Sequence, residues 1–264
     1  MRPAPKGRHL LAVGIFAAAA VGAHIHALSQ ERLTDQQTGQ AVAVLRSRDP
    51  NLFAGDPVYG PDGLWQYHQP VWQWYLRETM VALGTEDLRA PLRLLVIPLV
   101  LLYLSGMYGL LWRQCRSWSV ACLVALLSLA VVPVAGGSHW GLGPLETISP
   151  EAVYMAAAPW LVWALLETIS TGSVLWVFLA AGVGANLAPV MGRNFLLILA
   201  LVLLWRYRFT WRGWGMAILG LACAVSAASP ILWRLATRSG GQGGPQPPWQ
   251  VVELAMQQGR WGVL

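Results

Sequence analysis

Charge is what this sequence has least of. Only 11% of its 264 residues are Asp, Glu, Lys or Arg, against about 25% in an ordinary soluble domain. With 56% hydrophobic residues, the chain cannot hide its apolar surface in one water-soluble core, and it reads as a polytopic membrane protein. Cysteine is scarce as well. Cys122 and Cys223 lie in apolar runs and Cys115 in a short basic turn, which argues against a disulfide framework or a cysteine-held metal cluster. A phosphate loop, a dinucleotide fingerprint, a serine-nucleophile elbow and a zinc motif are all missing. The Gly-rich pieces SGGQGGP and GGSHWGLG have the wrong spacing, and no regular repeat is present. The net charge of +6 sits beside hydrophobic segments, where basic residues anchor helix ends and set orientation. With no RNA-recognition or helix-turn-helix signature, no nucleic-acid partner is expected.

What is present is a series of apolar segments. After the basic start MRPAPKGRH, residues 10–28 have the length of a first span. A cleaved signal peptide is the rival reading, but AHIHAL is a poor cleavage site, and the segment is read as a retained helix. Further spans are expected at 90–112, 119–135, 152–167, 173–190, 194–205 and 213–233, with MGR joining the fifth and sixth. The spacing of Ala41, Val44 and Leu45 predicts a short helix within 34–49. The aromatic stretch 64–84 suits an interfacial helix. Fifteen Trp fit interfacial belts. Residues 234–248 form a Gly/Pro linker, and WQVVELAMQQGRWGVL is a short amphipathic close.

The fold expected is therefore an all-α integral membrane protein with about seven transmembrane helices. A membrane domain spans 1–235, with a first outward loop at 29–89 carrying the short interfacial helices and a second at 136–151; residues 236–264 hold the linker and amphipathic segment. With the N-terminus inside, the inner segments 1–9, 113–118, 168–172 and 206–212 contain Arg2, Lys6, Arg8, Arg113, Arg116, Arg206, Arg208 and Arg212 and no acid, with Glu167 just at an edge. The positive-inside rule favours this orientation. It places the N-terminus in the cytoplasm, the chain in the inner membrane, and the acidic loops outside.

The first loop contains RSRDPNLFAGDPVYGPDG, residues 46–63. Pro follows Asp49 and Asp56 directly and restricts each to extended backbone, and Pro-Asp-Gly at 61–63 is a turn signal. Carboxylates held this way beside a membrane suit a general base or a divalent-cation ligand; the plain alternative is that they are turn residues. Tyr67, His68 and Gln69 fit a sugar or headgroup surface, and equally an interface belt. In the second loop, His139 and Glu146 stand on the same side, able to converge with the first loop or simply to remain solvated. Ser149, Pro150 and Glu151 read as the N-cap, first position and first-turn acid of the fourth span. His24 and His26, two apart, face different sides of a helix.

The outward loop with RDPNLFAGDPVYG, the stretch YHQPVWQWYL before the second helix, and the second loop GGSHWGLGPLE together resemble polytopic proteins of the GT-C superfamily over residues 9–235. The resemblance implies transfer of a sugar from a polyprenyl-phosphate donor at the outer membrane face. It also implies an essential first-loop acid at Asp49 or Asp56 and a second-loop contribution from Glu146 with His139 nearby. Such proteins have more than seven helices, so a truncated, split or minimal form is implied, with a second chain supplying further helices as a possible partner. Two other readings stay open: a non-catalytic membrane subunit binding a partner through its outer loops, and a transporter fragment. The scarcity of charge within the spans weighs against the transporter.

Overall fold

The computed structural model describes residues 6–29, 35–49, 51–52, 70–130, 132–133, 139–140, 142, 148–171 and 174–233. Among them the fold is all-α, apart from one two-residue antiparallel pair. In chain order the elements are α1 (Lys6–Ser29), α2 (Asp35–Arg48), α3 (Pro70–Leu83), α4 (Arg89–Cys115), α5 (Trp118–Leu127), β1 (Val132–Pro133), β2 (His139–Trp140), α6 (Pro150–Thr171), α7 (Val174–Ala185), α8 (Pro189–Arg206) and α9 (Trp211–Ala227). Two stretches, Gly7–Ser29 and Arg89–Cys115, are long and apolar enough to cross a membrane by length and composition.

Helix directions alternate. His9 near the start of α1 meets Tyr108 and Trp112 late in α4, while His24 near its end meets Arg93 early in α4, so these helices run antiparallel. The α4–α6 pair is parallel: Trp160 Nε1 donates to the Leu102 carbonyl at 2.7 Å, and Arg113 pairs with Glu167 a few turns on. Tyr154 of α6 packs on Gly184 of α7, Gly192 of α8 packs on Ala185, and Phe178 and Gly182 of α7 meet Gly220 and Ala224 of α9. Thus α7 and α9 run parallel, each antiparallel to its chain neighbours. One apolar core gathers α1 to α5 with the first turns of α6 around Trp72, Leu76, Met80, Val100 and Leu104. A second joins Leu165 of α6 to Phe178, Leu199, Leu203 and Ala224. The two halves of α6 therefore belong to different cores.

Several boundaries differ from the sequence expectation, each for a local reason. The third apolar segment, expected helical to 135, leaves the helix at Leu127. Pro133 cannot donate a helical hydrogen bond and disfavours helix in the residue before it. The connector expected at MGR lies inside α8, because Pro189 starts that helix at its first turn; the actual connector is Asn186–Ala188. The fourth segment is longer than expected, starting at Pro150 as the Ser149–Pro150–Glu151 pattern implies. In α2 the expected face is only partly right. Val44 is buried, but Leu45 is exposed, and the buried neighbours are Gln37, Gln40 and Ala43. Polarity misled the pattern here, because the glutamines face inward.

Candidate functional site

The alternating helices define two ends. One collects Arg8, Arg113, Arg116, Arg206, Arg208 and Arg212, with Glu167 the acid among the described residues there. The other, the loop end, holds the end of α1, the pair α2–α3, and the starts of α4, α6 and α8. It carries Asp49, Glu78, Glu86, Asp87 and Glu151 among its own arginines. Of the expected site residues, Asp49 belongs to this end.

Helices α2 and α3 form a small polar-bonded pair laid against the start of α4. Buried Trp72 donates its indole N–H to Gln40 Oε1 at 3.0 Å and stacks on Tyr75 at a centroid distance of 5.5 Å. Tyr75 donates to the Pro91 carbonyl at 3.0 Å. Burial pushes its phenol above the ordinary range, against a hydrogen bond with Thr79. Trp72, Leu76 and Met80 supply the apolar contact at a spacing of four. Gln40→Leu should cost about 1–3 kcal/mol, since it leaves the buried Trp72 N–H without an acceptor. A thermal melt in detergent that falls less for the double variant with Trp72→Phe than for Gln40→Leu alone would support that cause. Next to Trp72, Gln73 Nε2 is buried with no acceptor among the described residues.

At this end α1 and α4 are joined through main-chain acceptors. His24 Nδ1 donates to the Arg93 carbonyl at 3.2 Å, and Arg93 donates to the Leu28 carbonyl at 3.2 Å. At the entrance to α4, Asp87 Oδ1 accepts from the Arg89 N–H at 3.0 Å and from Arg89 Nε at 2.8 Å. That hydrogen bond to the Arg89 side chain holds the Asp87 carboxyl below the usual carboxylate range. The Arg89 backbone N–H and the charges of Arg89 and Arg93 act the same way, and partial burial opposes them. A carboxyl depressed on folding stabilises above its unfolded value of about 3.9, and that stabilisation is lost as pH falls through the folded value. Both partners are more than a third exposed, so the effect should stay under about 1 kcal/mol. Melting curves between neutral pH and pH 3 should therefore drop slightly less for Asp87→Asn than for the natural sequence.

Asp49 stands directly after α2, as the spacing predicted. It is exposed. Its Oδ1 accepts from the Asn51 N–H at 3.0 Å, its carbonyl accepts from Leu52 N at 3.1 Å, and the buried Arg46 donates to the Leu52 carbonyl at 3.2 Å. The carboxylate thus closes a tight turn that Arg46 draws back onto α2. His139 lies in β2, opposite Pro133. Asp56, Tyr67, His68, Gln69 and Glu146 lie outside the described residues. Among the described residues, no three His, Cys, Asp or Glu side chains are placed to share a metal ion.

Sequence reasoning missed one polar residue, which sits beside a small third cluster of Ala185, Ala228 and Ile231. Asn186, buried between α7 and α8, donates from Nδ2 to the Ala227 carbonyl at 3.0 Å and accepts at Oδ1 from Ile231 N at 3.2 Å. In an unbroken helix Ala227 and Ile231 would bond to each other. Pro230 follows the last turn of α9, and the Asn186 amide spans the opened rung. The signal was a lone Asn in the apolar run GVGANLAP. Comparison with protein-family models, with curated proteins and with solved structures finds no match to this chain.

Proposed function

We propose that this chain is an integral membrane protein in which α1, α4, α5, α6, α7, α8 and α9 cross or enter the bilayer. The observation that carries the reading is the outer surface. Leu123 and Leu127 of α5, Ile198 and Leu201 of α8, and Ile218 and Leu219 of α9 are all exposed. A water-soluble bundle turns polar residues outward instead. Exposed tryptophans border this apolar zone at both ends: Trp176, Trp205, Trp211 and Trp214 at the arginine end, Trp74 and Trp233 at the loop end. At helical rise, the 19 residue steps from Trp214 to Trp233 span about 28 Å, close to a hydrocarbon core of about 30 Å. The arginine end faces the cytoplasm and the loop end faces outward.

At the loop end, the reading we favour is that of a GT-C-like protein moving a sugar from a polyprenyl-phosphate donor. Its support is the α2–α3 unit at the loop end, which is followed directly by the exposed Asp49 and which carries Trp72, Tyr75 and a buried Gln73 donor with no acceptor among the described residues. Transfer of radiolabelled sugar from a polyprenyl-phosphate donor in purified membranes tests it. Asp49→Asn or Asp56→Asn should abolish transfer while the protein stays in the membrane fraction, and natural rates in both would reject the catalytic role. One observation favours a non-catalytic subunit instead: the Asp49 carboxylate already serves its own turn. On that reading both variants bind and insert normally, and the loop end captures a partner chain.

A further inference from the structure

The reversal between α8 and α9 concentrates positive charge and aromatic surface on one short turn. Arg206, Arg208 and Arg212 fall within seven residues, and all three are exposed. Their side chains have no hydrogen-bond or ion-pair partner among the described residues. Glu167, the acid among the described residues at this end, is taken by Arg113. Arg206 has an internal reason for its place, since the last turn of α8 favours a cation. Arg212 has the opposite: it stands in the first turn of α9, which carries no acid and where the helix dipole disfavours a cation. The turn itself is closed by Arg208 N donating to the Trp205 carbonyl at 3.0 Å and Phe209 N donating to the Leu204 carbonyl at 2.9 Å. That pattern ordinarily sets Gly in the left-handed position and packs the next apolar side chain back on the helix. Here the left-handed residue is Arg208 (φ 48°), and Phe209, also left-handed at φ 57°, is 55% exposed. Strained backbone of this kind gathers at contact sites. Trp211, two residues on, is 92% exposed.

On the membrane reading given above, on which this inference rests, the turn lies at headgroup level in the cytoplasmic leaflet. We propose that it is a binding site for an anionic phospholipid. The guanidiniums of Arg206, Arg208 and Arg212 hold the headgroup phosphate, and Phe209 and Trp211 sit at the boundary between headgroup and acyl chain. Guanidinium suits phosphate because its planar fork donates paired, charge-assisted hydrogen bonds. A headgroup with net negative charge also balances the three cations, which a zwitterionic one does not. The site is this turn and not the basic end at large. Arg116, between α4 and α5, is likewise exposed and left-handed at φ 53°, but it is followed by Ser117 and the half-buried Trp118 and presents no exposed ring.

A bimane label on a single cysteine tests this in the full chain with Cys115, Cys122 and Cys223 replaced. Gly215→Cys carries the probe, one turn along α9 from Trp211, where nothing lies within 4 Å of the Cβ position. Val225→Cys, exposed on α9 toward the loop end, carries the control. The protein is reconstituted in mixed vesicles of phosphatidylglycerol and phosphatidylcholine, with bromine on the acyl chains of one lipid or the other. Quenching then gives the binding of the anionic lipid relative to the zwitterionic one beside each probe. At position 215 the preference should be at least about fivefold, the effect of one guanidinium near an anionic surface, and at position 225 about one. Arg208→Gln should lower the preference at 215 by at least about twofold. The triple variant Arg206→Gln, Arg208→Gln, Arg212→Gln should bring it to about one, and Arg116→Gln, which removes one charge at the same end, should leave it unchanged. Quenching by brominated phosphatidylcholine in each variant reports that the chain is still inserted. A preference of about one at 215 in the natural turn, an equal preference at 215 and 225, or equal falls for Arg208→Gln and Arg116→Gln would overturn the site and leave the membrane reading intact. No quenching by either brominated lipid would overturn the membrane reading and the site with it.

Discussion

Replacing Asn186 with Leu should destabilise the protein by about 2–5 kcal/mol, since two buried backbone groups lose their partners at about 1–3 kcal/mol each. The Ala227 carbonyl loses its donor, and Ile231 N loses the Asn186 acceptor, keeping only its bond to the Ala228 carbonyl at 3.2 Å. Asn186→Asp separates the two roles. A carboxylate still accepts from Ile231 N but cannot donate to Ala227, so it should recover only part of the loss. Both are read as midpoints of thermal unfolding in detergent. Equal midpoints for Asn186→Leu and the natural chain would mean that the amide does not hold the break at Pro230.

Gly182→Val should have an effect of similar size from a different cause. A Cβ on Gly182 would lie 2.3 Å from the Ala224 carbonyl oxygen and 2.7 Å from the Ala224 Cα. Both are backbone atoms that cannot swing aside, so α7 and α9 must separate. Overpacking of this kind costs about 1–3 kcal/mol, occasionally more, and the branched Val should exceed Ala at the same site. Close approach of backbones over Gly and Ala is how helices pack when lipid removes the hydrophobic drive between them. Gly215→Val, on α9 with nothing within 4 Å of its Cβ position, is the control and should leave the midpoint nearly unchanged.

Much of the fold was legible because length and hydropathy carry it. The first two apolar segments became α1 and α4 nearly as expected, the short helix before Asp49 was visible from spacing, and the helix expected within 64–84 from its aromatic composition is α3 over Pro70–Leu83. Less legible was everything decided by packing. The inward turn of Gln37 and Gln40 needs α3 to be placed first, since Trp72 supplies the partner that makes a buried Gln40 affordable. The end of α5 depends on the Tyr103 hydroxyl from another helix, and nothing local in LLSLAVVPV marks Ser128 as the stop, although Pro133 hints at one. Glu167, read as an acid at the margin of a basic turn, gains its meaning from Arg113 on α4. Of the candidate site, Asp49 was correctly placed at the end of a short helix, and the turn chemistry of Asp before Pro anticipated its bond to Asn51 N.

The central claim is that the bundle lies in a membrane with its arginine end inside. It can be tested with one labelling measurement, because the natural Cys115 is exposed at that end, beside Arg113 and Arg116. A single cysteine at Glu86, with Cys115 replaced, supplies the mark at the opposite end. Treated with a membrane-impermeant maleimide, intact right-side-out membranes should label the cysteine at position 86 and spare Cys115, and Cys115 should become reactive once the membrane is opened. Labelling of Cys115 in sealed membranes, or of both positions alike, would contradict the account.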